Sequence, residues 1–142
     1  MPESASAGRA PRLGWRAVGA ALLVVSGAVH GYLYAAEDYR AIPTIGPLFL
    51  LVVVVAPVLA VVVVVAHRPI TDVAGAVFAL SVLGAYVLTL LVPTGLFLFR
   101  ELGVSTSGAL SLAAEGGAAL SLGSAAVRTV SADRRSRLRP PT

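Results

Sequence analysis

The sequence predicts an all-α fold, a four-helix transmembrane bundle, and three observations carry that expectation. Of the 142 residues 57% are hydrophobic and only 13% charged, too little charge to cover the surface of a water-soluble domain of this length. The apolar residues gather into four runs, at about 15–36, 45–66, 73–99 and 109–130. Each matches or exceeds the roughly 20 residues that carry a helix across a hydrocarbon core. The arginines are also unevenly placed. Nine of them (Arg9, Arg12, Arg16, Arg68, Arg128, Arg134, Arg135, Arg137 and Arg139) lie on one side of the runs, and only Arg40 and Arg100 on the other. The positive-inside bias therefore expects both termini to be cytoplasmic, N-in and C-in. All eleven basic residues are arginine, with no Lys, Asn or Gln in the chain, the codon bias of a GC-rich genome. A bacterial plasma membrane is the expected location.

Taken in order, residues 1–14 are rich in Ala, Ser, Gly and Pro and read as a disordered basic tail. Span one follows. A cleaved signal peptide is the competing reading of this first run, but His30 inside it and the lack of a good cleavage site argue against that. The loop 37–44 leads into residues 39–51, YRAIPTIGPLFLL, where Pro43, Gly46 and Pro47 mark the start of span two. The free N–H groups there favour a nearby carboxylate, and Glu37 and Asp38 are close in sequence. The valine runs of span two would suggest a strand in water; in lipid, where a lone segment must satisfy its own hydrogen bonds, they form a helix. Pro57, near its middle, is expected to kink it. The link 67–72, HRPITD, reads as a tight turn, with Thr71 or Asp72 capping the next helix. Span three is long, and Pro93 is the expected break. Ser105, Thr106 and Ser107 then suit an N-cap for span four, whose many small residues imply burial among its neighbours. Residues 131–142 read as a second disordered basic tail.

Candidate site residues follow from depth. His30 lies about 9 Å from the outer end of span one and Glu115 about 10 Å below the same surface, at 1.5 Å per residue. Neither group is cheap to leave unpaired in hydrocarbon, so the two are expected to meet. Ser26, His30 and Tyr34 line one helix face, and Ser107, Ser111 and Glu115 line another. Glu37, Asp38, Tyr39, Arg40, Arg100 and Glu101 stand above them, completing an outward polar funnel. The simpler alternatives stay open: an interhelical hydrogen bond that fixes register for His30 and Glu115, interfacial charge for the loop residues, and interface anchoring for Trp15, Tyr32, Tyr34 and Tyr39.

Residues 37–51, together with His30 and the later run 95–101, GLFLFRE, resemble a family of small four-span bacterial membrane proteins. The matching positions are His30, Tyr39, Arg40, Pro43, Gly46, Phe49, Glu101 and Glu115, and the likeness extends over about residues 20–126. The resemblance implies the four-span architecture and no particular activity. The plan is also loosely similar to DoxX-like proteins, without a residue-by-residue match, so no role carries over.

As function the residues favour a non-enzymatic binding or accessory membrane protein, contacting a lipid, a quinone-like molecule or a larger complex. Proton or ion transport through a His30/Glu115 relay is the alternative, and a membrane redox enzyme is the least supported. The chain has no cysteine, and its second histidine, His67, falls at the opposite end from His30, so no metal site or intrachain bis-histidine haem is expected. No cofactor is expected beyond a bound quinone or lipid. The expected partners are the bilayer, a larger complex or further copies of the chain. The basic ends are read as topology signals and headgroup contacts, with no nucleic acid.

Overall fold

The computed structural model describes residues 9–137. Among them the chain forms four long helices, α1 (Arg9–Ala36), α2 (Ile45–Ala66), α3 (Pro69–Leu91) and α4 (Thr106–Arg137), with one 3₁₀ turn, η1 (Tyr39–Ala41), between α1 and α2. All four helices are long and apolar enough to cross a membrane. The protein is a polytopic membrane protein built as an all-α bundle.

Two boundaries differ from the sequence expectation because backbone geometry outweighs hydropathy. Span three was expected to reach residue 99, but α3 ends at Leu91. Val92, the residue before Pro93, is extended (φ −80°, ψ 126°), as the proline ring demands of its predecessor. The outer helices are instead longer than their apolar runs. Of the two tails expected to be disordered, residues 9–14 and 131–137 are helical, and residues 1–8 and 138–142 lie outside the described residues.

α1 packs along α2 on one flank and along α4 on the other, and α3 packs on α4. α2 and α3 touch far less, although only a short turn joins them. α1 and α4 are accordingly more buried than α2 and α3, as the small residues of α4 suggested. The core is notched by glycine. The fully buried Leu122 of α4 sits where a Cβ on Gly19 or Gly75 would lie 2.5 or 2.6 Å from it, so both positions need glycine for three helices to close on one leucine. Gly27 and Gly31 of α1 face α2, Gly27 against the Pro57 ring and Gly31 against Val53. The small-xxx-small spacing of this pair thus serves packing inside the bundle. α2 runs unbroken through Pro57.

At the end of the bundle that holds the α2–α3 turn, Arg16 and Asp72 form a buried ion pair. Arg16 Nε donates to both carboxylate oxygens at 2.9 Å and Nη2 donates to Oδ2 at 2.7 Å. This corrects one expectation. Asp72 does not cap α3: Arg68 holds the N-cap position, Pro69 starts the helix, and Thr71 Oγ1 donates to the Arg68 carbonyl. Arg16, counted among the arginines on one side of the spans, is only 7% exposed, and Asp72 is fully buried. Nearby, the Arg128 guanidinium lies 5.9 Å over the Trp15 ring.

Candidate functional site

At the other end, the connection from α1 to α2 is held in sparsely populated conformations. Asp38 is left-handed (φ 58°), η1 follows, and Thr44 sits at φ 69°, ψ −45°. Ile45 N–H donates to the Pro43 carbonyl at 2.8 Å, closing a γ-turn around Thr44. That turn is rare and strained, and costlier for a β-branched residue. Gly46 lets η1 lie on the first turn of α2, since a Cβ there would stand 2.8 Å from the Arg40 carbonyl oxygen. Strain of this kind persists only where surrounding contacts over-determine it. Here it sets Tyr39 over the bundle.

Tyr39 stacks on Phe49 of α2 at 4.9 Å, and its other side meets the edge of Phe99 at 5.7 Å. The hydroxyl donates to Glu101 Oε1 at 2.5 Å, and Glu101 N–H donates to the Thr89 carbonyl at 3.2 Å. One hydrogen bond thus joins the α1–α2 and α3–α4 connections. Burial, and then the carboxylate it donates to, push the Tyr39 hydroxyl well above the ordinary tyrosine value of about 10. The protonated form is the one that the fold favours. The stabilisation is therefore complete below about pH 10 and is lost as pH rises through the higher folded value. In an ultraviolet absorbance titration Tyr39→Phe is expected to lose one late-ionising tyrosine relative to the native chain. A late amplitude unchanged in the variant would disprove the assignment.

The α3–α4 connection makes a second tight turn. Leu96 and Phe99 exchange two backbone hydrogen bonds of 2.9 Å, with Phe97 and Leu98 both at positive φ. Two such residues in a row ordinarily call for Asn and Gly. The tip is apolar, Phe97 being 58% and Leu98 91% exposed. Ser105 Oγ then accepts from Gly108 N–H and caps α4.

Beneath these connections lies a cavity of about 310 Å³, at the lower end of the roughly 300–1,000 Å³ usual for small-molecule sites. It occupies the gap that α2 and α3 leave between them. Its walls are mainly apolar and aromatic, with Phe49 and Val52 from α2, Phe78 and Val82 from α3, and Leu96 and Phe99 from the α3–α4 connection. Leu48, Leu51 and Ser81 line it and are also exposed on the flank of the bundle, so the cavity opens sideways. Polar groups gather towards α1 and α4: His30, Tyr86, Glu101, Ser105 and Ser111.

Behind this wall Glu115 is fully buried. Its Oε1 accepts from Ser26 Oγ at 3.1 Å and from Ser111 Oγ at 2.7 Å, while Oε2 has no hydrogen-bond partner. His30 Nδ1 stands 3.9 Å from Glu115 Oε1 but donates instead to the Ser26 carbonyl at 2.9 Å. The structure thus brings His30 and Glu115 side by side without a hydrogen bond between them, and Ser26 serves both. The His30 ring also meets the Phe49 edge at 4.8 Å.

Other candidates are dispersed. Glu37 accepts from Ser107 at 3.3 Å, Asp38 pairs with Arg40 at 3.5 Å in the open, and Arg100 is exposed. No carboxylate takes the first N–H groups of α2, because Gly46 and Leu48 donate to backbone carbonyls. Among the described residues no three His, Asp or Glu side chains converge to hold a metal ion.

No family model, curated protein or solved structure matches the chain. The site is therefore read from its own geometry.

Tyr86 escaped the sequence reading. Its hydroxyl is buried, has no hydrogen-bond partner and presses on Gly108, where no Cβ would fit. A tyrosine in the middle of an apolar run, facing a glycine on another helix, was the only available signal.

Proposed function

We propose that the protein is a non-enzymatic binding protein of the bacterial plasma membrane that holds a small amphiphile in the cavity between α2 and α3. The observation that carries this reading is the cavity's make-up: mostly apolar walls, a sideways opening, and a few polar groups among them. A molecule dissolved in the bilayer can reach such a site without passing through water. The arginine distribution supports an outer-leaflet position, with both termini cytoplasmic. The likeness of residues 37–51 to small four-span bacterial proteins agrees with this architecture.

A His30/Glu115 proton relay has less support. Between that cluster and the Arg16–Asp72 pair, Leu23, Val63 and Leu122 belong to one buried apolar cluster, and among the described residues no buried ionisable side chain lies there to pass a proton.

The test is gentle extraction of the full chain from native membranes and mass measurement of the intact particle. The chain is expected to carry a small molecule of the membrane, and Ala85→Trp, which fills the cavity, is expected to lose it. A bare particle that gains no mass on incubation with a total lipid extract would overturn the reading.

A further inference from the structure

The polar groups of the cavity set terms for its ligand. His30 Nδ1 donates to a carbonyl and so must carry hydrogen, which in the neutral imidazole leaves Nε2 as an acceptor. Nε2 has no protein donor among the described residues. The Tyr86 O–H also has no acceptor, but it is closed off from the cavity and pressed on Gly108, so a ligand does not reach it. The site therefore presents one unmet acceptor. A hydroxyl group answers it; a carbonyl or an ether does not.

Charge and shape narrow the class further. No arginine lines the cavity: Arg40 pairs with Asp38 in the open and Arg100 is exposed. Glu101 does line it, and is set against a phosphate or carboxylate head. Three of the chain's four phenylalanines (Phe49, Phe78 and Phe99) and two of its four tyrosines (Tyr39 and Tyr86) stand around the space. Rings concentrated in this way offer edge and face contacts that an alkyl chain cannot use fully.

We infer that the cavity takes an uncharged, hydroxylated aromatic compound of the membrane, a phenol or quinol head on an apolar tail. Its hydroxyl donates to His30 Nε2, and the tail leaves through the gap between α2 and α3. This rests on the amphiphile-binding reading and specifies its ligand. An oxidised quinone, which only accepts, leaves His30 Nε2 unmet and binds more weakly.

The experiment uses the full chain in phosphatidylcholine nanodiscs, titrated calorimetrically against empty nanodiscs with three probes. They are 2-decylhydroquinone, its dimethyl ether, and dodecanol. The hydroquinone is expected to bind about ten-fold more tightly than the ether, the size of one well-placed hydrogen bond, and about ten-fold more tightly than dodecanol, whose hydroxyl meets the same acceptor but whose chain forgoes the ring contacts. His30→Phe should bring the hydroquinone down to the level of the ether and leave the ether unchanged. Should His30→Phe fail to fold, the comparison of the hydroquinone with its ether on the unaltered chain keeps the test intact. Unchanged hydroquinone affinity in a folded His30→Phe would overturn the inference. Equal binding of all three probes, blocked by Ala85→Trp, would overturn it too but leave an amphiphile site standing. No binding by any probe, or binding that Ala85→Trp leaves unaltered, would overturn both.

Discussion

Asp72→Leu is expected to destabilise the bundle by about 3–5 kcal/mol, the usual cost of stranding one member of a buried ion pair. The stranded group would be Arg16, whose guanidinium is held between α1 and α3 with almost no access to water. Arg16→Met should cost a similar amount for the converse reason. The double variant Arg16→Met/Asp72→Leu is expected to recover most of the loss, since apolar side chains of similar volume commonly replace buried ion pairs at little net cost. Unfolding by increasing mole fraction of a denaturing detergent, followed by helical circular dichroism, would measure all three. If the double variant is as unstable as either single one, the two-pronged geometry is itself required, and the pair acts as more than mutual neutralisation. Arg16→Lys separates these further, because an ammonium cannot present two nitrogens in the same fork.

Leu122→Ala is the second large effect. Leu122 fills a notch made by Gly19 and Gly75, so its truncation leaves a void on two helices at once. Core leucines in water-soluble proteins cost about 2–5 kcal/mol on such truncation. In lipid the separated helices face chains as apolar as leucine, so packing supplies most of the effect and about 2 kcal/mol is expected. The sharper expectation concerns sign. Gly75→Ala in the native chain should destabilise by about 1–3 kcal/mol through overpacking against Leu122. In the Leu122→Ala background the same methyl enters vacant space and should stabilise. Simple additivity of the two changes would show that the leucine is not wedged between the glycines.

The four helices were legible because hydropathy and helix length answer to one constraint, the thickness of the hydrocarbon. The end of α3 was partly legible: Pro93 announced a break, but the apolar residues 96–99 concealed that the chain turns there instead of continuing upward. Asp72 was misread because its neighbours in sequence, Pro69 and Thr71, read as a turn with a cap, whereas its partner Arg16 is 56 positions away. Nothing in a charge count separates an arginine that marks topology from one that is buried. His30 and Glu115 could be set at equal depth by counting residues, but the count could not show that Ser26 supplies a carbonyl to one and a hydroxyl to the other. The cavity itself was invisible, because it arises from what α2 and α3 fail to do. The consecutive valines of α2 run round that helix on every side, and neither sequence carries a positive mark of a missing contact.

That missing contact changes the scale on which occupancy is decided. A site opened towards the acyl chains samples its ligand at the concentration reached inside the membrane, not in the surrounding water. For a sparingly soluble compound the first far exceeds the second, so modest intrinsic affinity suffices to keep the site filled. Occupancy then follows the mole fraction of ligand among lipids, and it falls when the bilayer is diluted with inert lipid at constant total concentration. The protein would respond to the composition of its own solvent.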